Sequence, residues 1–391
     1  MPALGRLVPS VPPSLRGLFL FFLSALVFAG CNDTAPTAPG TAGSPSATPS
    51  TPSGAKRLIF LTNGEDPFWD TCNAGFQEGA KEFLKDTNFV VEFHKNSGEA
   101  AGQITRLQQY RTESDIAGLP ISVYNADNAG IAAEMKNLQD AGIKVITVDG
   151  DINTEQFPGH RPYYIGTDNL VAGKVLGTAA RHILAHRKQE SGAYVQFAGS
   201  RDNDNARKRM NGFQEAVGES YKELDRMPDN MKQDKARDNV RVAMDNFEKD
   251  GLNALIGIWA YDAPAIAGVV KERKVRDKYT VCVFDAHPGA IADMGEGLID
   301  VAVVQNPYEM GRLSVKLLKA MIDKDEATIK EMFPKAAGEP GADIYTTGLR
   351  VVVPSIADTP LKADMFDAKT VEFMELPAFK AWLDKYKLIG S

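Results

Sequence analysis

From residue 57 onward the chain alternates short apolar runs with longer stretches whose apolar residues recur every three or four positions. Residues 57–61, 89–93, 117–123 and 145–148 are too apolar to have a wet face, so they read as strands buried on both sides. Between them, residues 69–84, 101–111 and 129–141 carry helical periodicity. A second cycle begins at residues 164–165. Asp168 can cap a helix running to about His186, and strands at 193–197, 254–258, 279–284 and 301–304 follow, with helices at 206–217, 235–248, 263–273 and 308–324. Strands alternating with helices in this way predict an α/β protein of two doubly wound, parallel-sheet lobes in series.

The first 55 residues break that rhythm. Arg6 and Arg16 precede an apolar run over residues 18–28 that stops at Ala29-Gly30-Cys31. The run is too short for a mature membrane span and reads as an export signal. Small residues leading directly into a cysteine are the pattern of a bacterial lipoprotein signal, so Cys31 is expected to be lipidated, although Phe28 stands where that pattern usually has Leu. Residues 32–55 are almost entirely Thr, Ala, Pro, Gly and Ser, with no large apolar side chain to bury, and are expected to be a flexible tether.

Composition narrows the function classes. The 391 residues suffice for two cores, and 44 Lys+Arg against 51 Asp+Glu argue against a polyanion-binding surface, so no nucleic-acid partner is expected. Beyond the signal, Cys72 and Cys282 lie far apart in different elements and read as buried free thiols in preference to a disulfide.

In open α/β sheets ligands bind beyond the carboxyl ends of the strands. Those ends carry Asp66-Pro67-Phe68-Trp69, Asp149, Thr167-Asp168-Asn169, Tyr261-Asp262, Asp285 and Gln305-Asn306. Helix capping explains any one of them, but explains poorly why nearly every strand ends in a carboxylate, amide or aromatic.

Here the sequence resembles the type I periplasmic binding proteins of the ribose- and galactose-binding kind, which share their fold with the sugar-responsive core of lac-type repressors. The resemblance runs from about residue 57 to 353. Asp66-Pro67-Phe68-Trp69 is similar to the family's Asn-Pro-Phe-Phe, and residues 145–149 to its Val-Ile-Thr-Leu-Asp. Asn205-Ala206-Arg207 with Gly212-Phe213 resembles its Ala-Arg…Gly-Phe helix start, Val283-Phe284-Asp285 its Gly-Phe-Asp, and residues 165–169 and 304–307 two of its interlobe crossings. The resemblance implies two lobes joined by a three-crossing hinge, with a sugar between them. Asp66, Phe68, Trp69 and Asp149 would line the first lobe; Arg207, Tyr261, Asp285 and Gln305 would come from the second lobe and the hinge. Residues 1–30 would be signal, 31–55 tether, 56–166 with 306–335 the first lobe, 167–305 with 336–354 the second, and 355–391 an extension.

Two departures stand out. Ribose binders of the family have Arg after the aspartate that Asp149 matches, whereas this chain has Gly150 followed by Asp151, so a polar clamp is missing or replaced by an acid. His287, after Asp285, either reaches the ligand or is a solvated loop residue. His182 and His186 are four apart but lack a third ligand, Gly173-Lys174 lacks the spacing of a phosphate loop, no Gly-x-Gly-x-x-Gly follows the first strand, and the basic run over residues 271–278 suits a helix end, so neither metal nor other cofactor is expected. Three classes remain: a monomeric receptor delivering a monosaccharide to an ABC transporter permease, a sugar-sensing receptor, and, as the weakest, a glycoside-active enzyme, since no nucleophile–base pair is evident. Location is expected in the periplasm or at the cell surface, membrane-anchored through Cys31.

Overall fold

The computed structural model describes residues 54–201 and 203–391. The expected signal segment, Cys31 and all but the last two residues of the tether lie outside the described residues.

The described residues begin with β1 (Lys56–Leu61), α1 (Pro67–Phe83), β2 (Phe89–His94), α2 (Ala100–Arg111), β3 (Ile116–Ile121), α3 (Ala129–Asp140), β4 (Lys144–Val148) and β5 (Tyr164–Gly166). The chain repeats the pattern in α4 (Asn169–His186), β6 (Gly192–Ala198), α5 (Asp204–Val217), β7 (Tyr221–Pro228), α6 (Gln233–Asn246), β8 (Leu252–Gly257), α7 (Asp262–Arg273), β9 (Thr280–Phe284), α8 (Pro288–Gly295) and β10 (Val301–Val304). It then returns through α9 (Pro307–Asp323), α10 (Glu326–Met332) and β11 (Ile344–Thr346), and finishes with β12 (Leu349–Val353), β13 (Val371–Glu375) and α11 (Leu376–Lys385).

Two sheets result, one of six strands in the order β11-β5-β4-β3-β1-β2 and one of seven in the order β13-β12-β10-β9-β8-β6-β7. The runs β2-β1-β3-β4-β5 and β7-β6-β8-β9-β10 follow the same order, so each sheet reverses direction beside its first strand. Four apolar clusters, one on each face of each sheet, form the cores. Most strands are therefore buried on both sides, which is why their sequences lack a polar face.

The structure corrects the sequence reading in three places. β12 runs antiparallel to β10, so the second sheet is not wholly parallel. β11 pairs with β5 in the first sheet, so residues 344–346, assigned from sequence to the second lobe, belong to the first. β7 was not anticipated: its sequence, YKELDRMP, is polar because it is an edge strand with mostly half-buried residues.

Glycine sets two helix contacts that matter for the site. A Cβ on Gly173 of α4 would lie 2.1 Å from the carbonyl oxygen of Arg209, and one on Gly212 of α5 would lie 2.1 Å from that of Leu170. In the first lobe, a Cβ on Gly75 of α1 would stand 1.8 Å from the Tyr308 carbonyl of α9. Backbones this close leave room for no side chain. They fix α5 against α4 and α9 against α1, and with them Arg209 and Tyr308.

Candidate functional site

Three strands run directly into the crossings between lobes: β5 ending at Gly166, β10 at Val304 and β11 at Thr346. Asp66 caps α1, its carboxylate accepting from the Phe68 amide at 2.9 Å, while Pro67 occupies the first turn, where its missing N–H costs nothing. Phe68 and Trp69 are both buried and stand edge-on at 4.9 Å, and Trp69 lies 5.9 Å from Phe60. Both belong to the apolar core of the first lobe.

Asp149 and Asp285 each follow the fourth strand of their lobe, and each has a left-handed backbone, φ 61° and 59°. Such a conformation is strained for a residue with a Cβ and is retained where a side chain must be aimed. Asp285 is buried and accepts from Gln305, whose Nε2 lies 3.2 and 3.0 Å from the two carboxylate oxygens and whose backbone N lies 3.2 Å from one. Gln305 Oε1 and Thr167 Oγ1, both at crossings, are buried without a hydrogen-bond partner among the described residues. The Asp149 carboxylate makes no hydrogen bond to the described residues.

The arginine of the site is Arg209. Its Nε donates to Asn169 Oδ1 at 2.9 Å, Nη1 donates to the Ile258 carbonyl at 3.2 Å and lies 3.6 Å from Asp285 Oδ2, and the guanidinium covers the Phe284 ring at 4.8 Å. Arg207, chosen from sequence, is instead exposed and paired with Asp204 at 2.7 Å. Two residues along a helix is about 200° of rotation, so the two arginines point to opposite sides. A signal for this was present. Ala206, Arg209, Met210, Phe213 and Val217 form the buried stripe of α5, and Arg209 is the charged residue on it.

Electrostatics ties these groups together across the lobes. Burial pushes the Asp149 carboxyl up to about 7, with Arg209 pulling it down and the carboxylates of Asp285 and Asp66 adding to the rise. Asp285 is raised by burial and lowered by Arg209 and Gln305. Burial also raises Asp66, and lowers His287 against the opposing pull of Asp66. His287 caps α8, its Nδ1 accepting from the Gly289 amide at 3.1 Å.

Tyr261 donates its hydroxyl to Asp229 Oδ1 at 2.7 Å, which leaves the hydroxyl oxygen free to accept. Trp259, not anticipated from sequence, is half-buried 6.2 Å from Tyr261 and donates its ring N–H to Asn205 at 3.2 Å. Asp151 does not replace the clamp, because it is held by Arg161, whose Nη2 is 2.7 Å away and whose Nη1 bonds Asp343 beside β11. Gln103 fixes the ends of β1 and β3 by donating to the carbonyls of Thr62 and Ser122 at 3.0 and 2.8 Å. Cys72 and Cys282 are free and buried. Among the described residues no cluster of His, Cys, Asp or Glu could hold a metal, and no helix is long and apolar enough to cross a membrane.

Comparison with known proteins bears on the fold. Residues 58–326 match the model of the periplasmic binding protein domain. The ribose import binding protein of Escherichia coli (strain K12) is 24% identical over 293 residues, which are 73% of this chain and 91% of the relative. A solute binding protein from Burkholderia graminis, solved with D-arabinose, superimposes with a TM-score of 0.63 at 21% identity, covering 78% of this chain and 97% of its own. A glucose-galactose binding protein from Geobacillus stearothermophilus gives 0.62 at 22% identity, covering 78% and 99%.

Proposed function

The chain belongs to the periplasmic binding protein family, and from that premise we propose that it captures a monosaccharide between its lobes and delivers it to an ABC transporter permease. The observation that carries this reading is the pairing of Asp149 and Asp285 at equivalent strand ends, with Arg209 within electrostatic reach of both. Three carboxylates, Asp66, Asp149 and Asp285, against one buried guanidinium make the cleft hostile to an anion. A neutral ligand rich in hydroxyl donors suits it, because each hydroxyl gives a carboxylate a charge-assisted bond worth about 1.5–3 kcal/mol.

On this proposal Asp66 and Asp149 hold hydroxyls from the first lobe, and Arg209, in place of Arg207, holds others together with Asp285 and Gln305 from the second lobe and hinge. Phe68, Trp69 and Trp259 supply apolar surface for the C–H faces of the ring, and the Tyr261 hydroxyl oxygen accepts a further hydrogen bond. Neither lobe encloses the ligand alone, so binding closes them about the crossings near Thr167, Gln305 and Gly348, with each lobe moving as a body. Cys31, lipidated, keeps the receptor at the membrane that houses its permease.

A thermal-shift screen over neutral monosaccharides, with sugar acids and amino acids as controls, tests the ligand class. A ligand at a hundred times its dissociation constant adds about 2.7 kcal/mol of stability. Stabilisation by a neutral sugar and by none of the controls is expected; stabilisation by a control alone overturns the reading.

A further inference from the structure

The segment after α11 carries an arrangement that the proposed site does not explain. Gly390 and Ser391 run beside the residue that follows Asp285: the Ala286 amide donates to the Ser391 carbonyl at 2.9 Å, and the Ser391 amide donates back to Ala286 at 3.1 Å. The fit leaves no space, since a Cβ on Gly390 would lie 2.5 Å from the Ala286 carbonyl oxygen and 3.1 Å from Pro288. Leu388, Phe379 and Leu383 pack into the core of the second lobe. The segment therefore belongs to that lobe.

One hydrogen bond of the segment crosses to the other lobe. Thr71 of α1, fully buried, donates its hydroxyl to the Gly390 carbonyl at 2.7 Å. A helical threonine ordinarily satisfies its hydroxyl on the carbonyl one turn back, so a bond to a residue 319 positions away is a choice made by tertiary structure. Close by, Tyr308 at the start of α9 lies 4.5 Å from the Tyr386 ring and 5.9 Å from Trp382, and Trp382 is covered by Arg350 at 4.3 Å. α1 and α9 carry the first lobe's side of the cleft, because Thr71 stands five positions after Asp66 and Tyr308 three after Gln305.

We propose that residues 388–391 with Thr71 form an interlobe clasp, a positioning element that favours the closed cleft and slows ligand release. Such a clasp presupposes the receptor function proposed for the cleft. When the lobes part, the Thr71 hydroxyl and Gly390 carbonyl rehydrate and the Tyr308 ring loses its aromatic partners, so the clasp adds to closure the modest net worth of a neutral hydrogen bond and the area around three rings.

The test compares the parent chain with Thr71→Val, Thr71→Ser and a deletion of residues 389–391. Small-angle scattering without ligand reads the clasp directly: Thr71→Val and the deletion are expected to enlarge the radius of gyration with unchanged circular dichroism, and Thr71→Ser to restore the parent value. With D-ribose, D-galactose, D-glucose and D-arabinose as probes, stopped-flow release of whichever binds should quicken about threefold to tenfold in the same two variants and not in Thr71→Ser. Parent-like dimensions and release in both the deletion and Thr71→Val overturn the clasp. Should no sugar bind the parent, the monosaccharide reading fails while the ligand-free scattering still decides the clasp. Should Thr71→Val not fold, the deletion decides it.

Discussion

Asp149 and Asp285 are counterparts: each is the first residue after the fourth strand of its lobe, and each has φ near +60°. One carboxylate is bound by Gln305 and faced by Arg209, and the other makes no hydrogen bond to the described residues. The asymmetry assigns them different work. On the proposed function, Asp285 is held in place before a ligand arrives, whereas Asp149 keeps its hydrogen-bonding capacity for the ligand.

Replacing Arg209 should be far more damaging than replacing Arg207. Arg209→Met strands Asp285, Asn169 Oδ1 and the Ile258 carbonyl in a buried setting, and should lower folding stability by about 3–5 kcal/mol and remove sugar binding. Arg207→Ala removes an exposed pair and should change stability by less than about 0.5 kcal/mol. Urea unfolding and calorimetry of the two variants check this, and equal effects would return Arg207 to the site.

The raised Asp149 carboxyl gives a pH dependence whose sign is fixed. Between its ordinary value of 3.8 and about 7, the folded protein keeps a proton that the unfolded chain has lost, so ligand-free stability falls as pH rises through that window. Asp149→Asn should remove this slope and be the more stable protein above about pH 7. Ligand hydroxyls favour the ionised form, so sugar affinity of the parent should rise with pH up to about 7, with a proton released on binding below that. Calorimetry in buffers of different ionisation enthalpy reads that proton; uptake instead of release would refute the assignment.

Gly173→Ala should act on the site from a distance. The added carbon, 2.1 Å from the Arg209 carbonyl, must push α5 off α4 and carry Arg209 with it. A loss of about 1–3 kcal/mol in stability, accompanied by weaker sugar binding, is expected from thermal unfolding and calorimetry. Unaltered affinity would show that Arg209 does not need this helix contact.

Lipidation of Cys31 is tested by fractionation. The parent should partition with membranes and Cys31→Ser should not, and an unchanged membrane fraction in the variant would remove the anchor.

Much of this was legible in the chain because doubly buried strands and amphipathic helices write themselves as apolar runs and a 3.6-residue period. The carboxylates and amides at the strand ends were visible as the places where those apolar runs stop. What the sequence hid depends on phase and on distant partners. Arg207 and Arg209 both lie near the expected motif, and only the buried stripe from Ala206 to Val217 separates them. From sequence the clamp was either missing or replaced by Asp151, and Arg161, ten residues on, holds Asp151 away from that role. β7 is half-buried along a sheet edge and so lacks an apolar face, and β11 is three residues long, too short to show a period. The contact of Tyr386 with Tyr308 joins residues 78 apart in the chain, and no spacing rule finds it.

The central claim is that one ligand is gripped from both lobes at once, and titration calorimetry of Asp149→Asn and Asp285→Asn with the sugar identified by screening tests it most directly. Each substitution keeps the shape and removes one charge. The account predicts that each, alone, weakens binding by about 1.5–3 kcal/mol, roughly tenfold to a hundredfold, with both variants folded. Undiminished affinity in either variant would place the ligand on one lobe only and contradict the shared site.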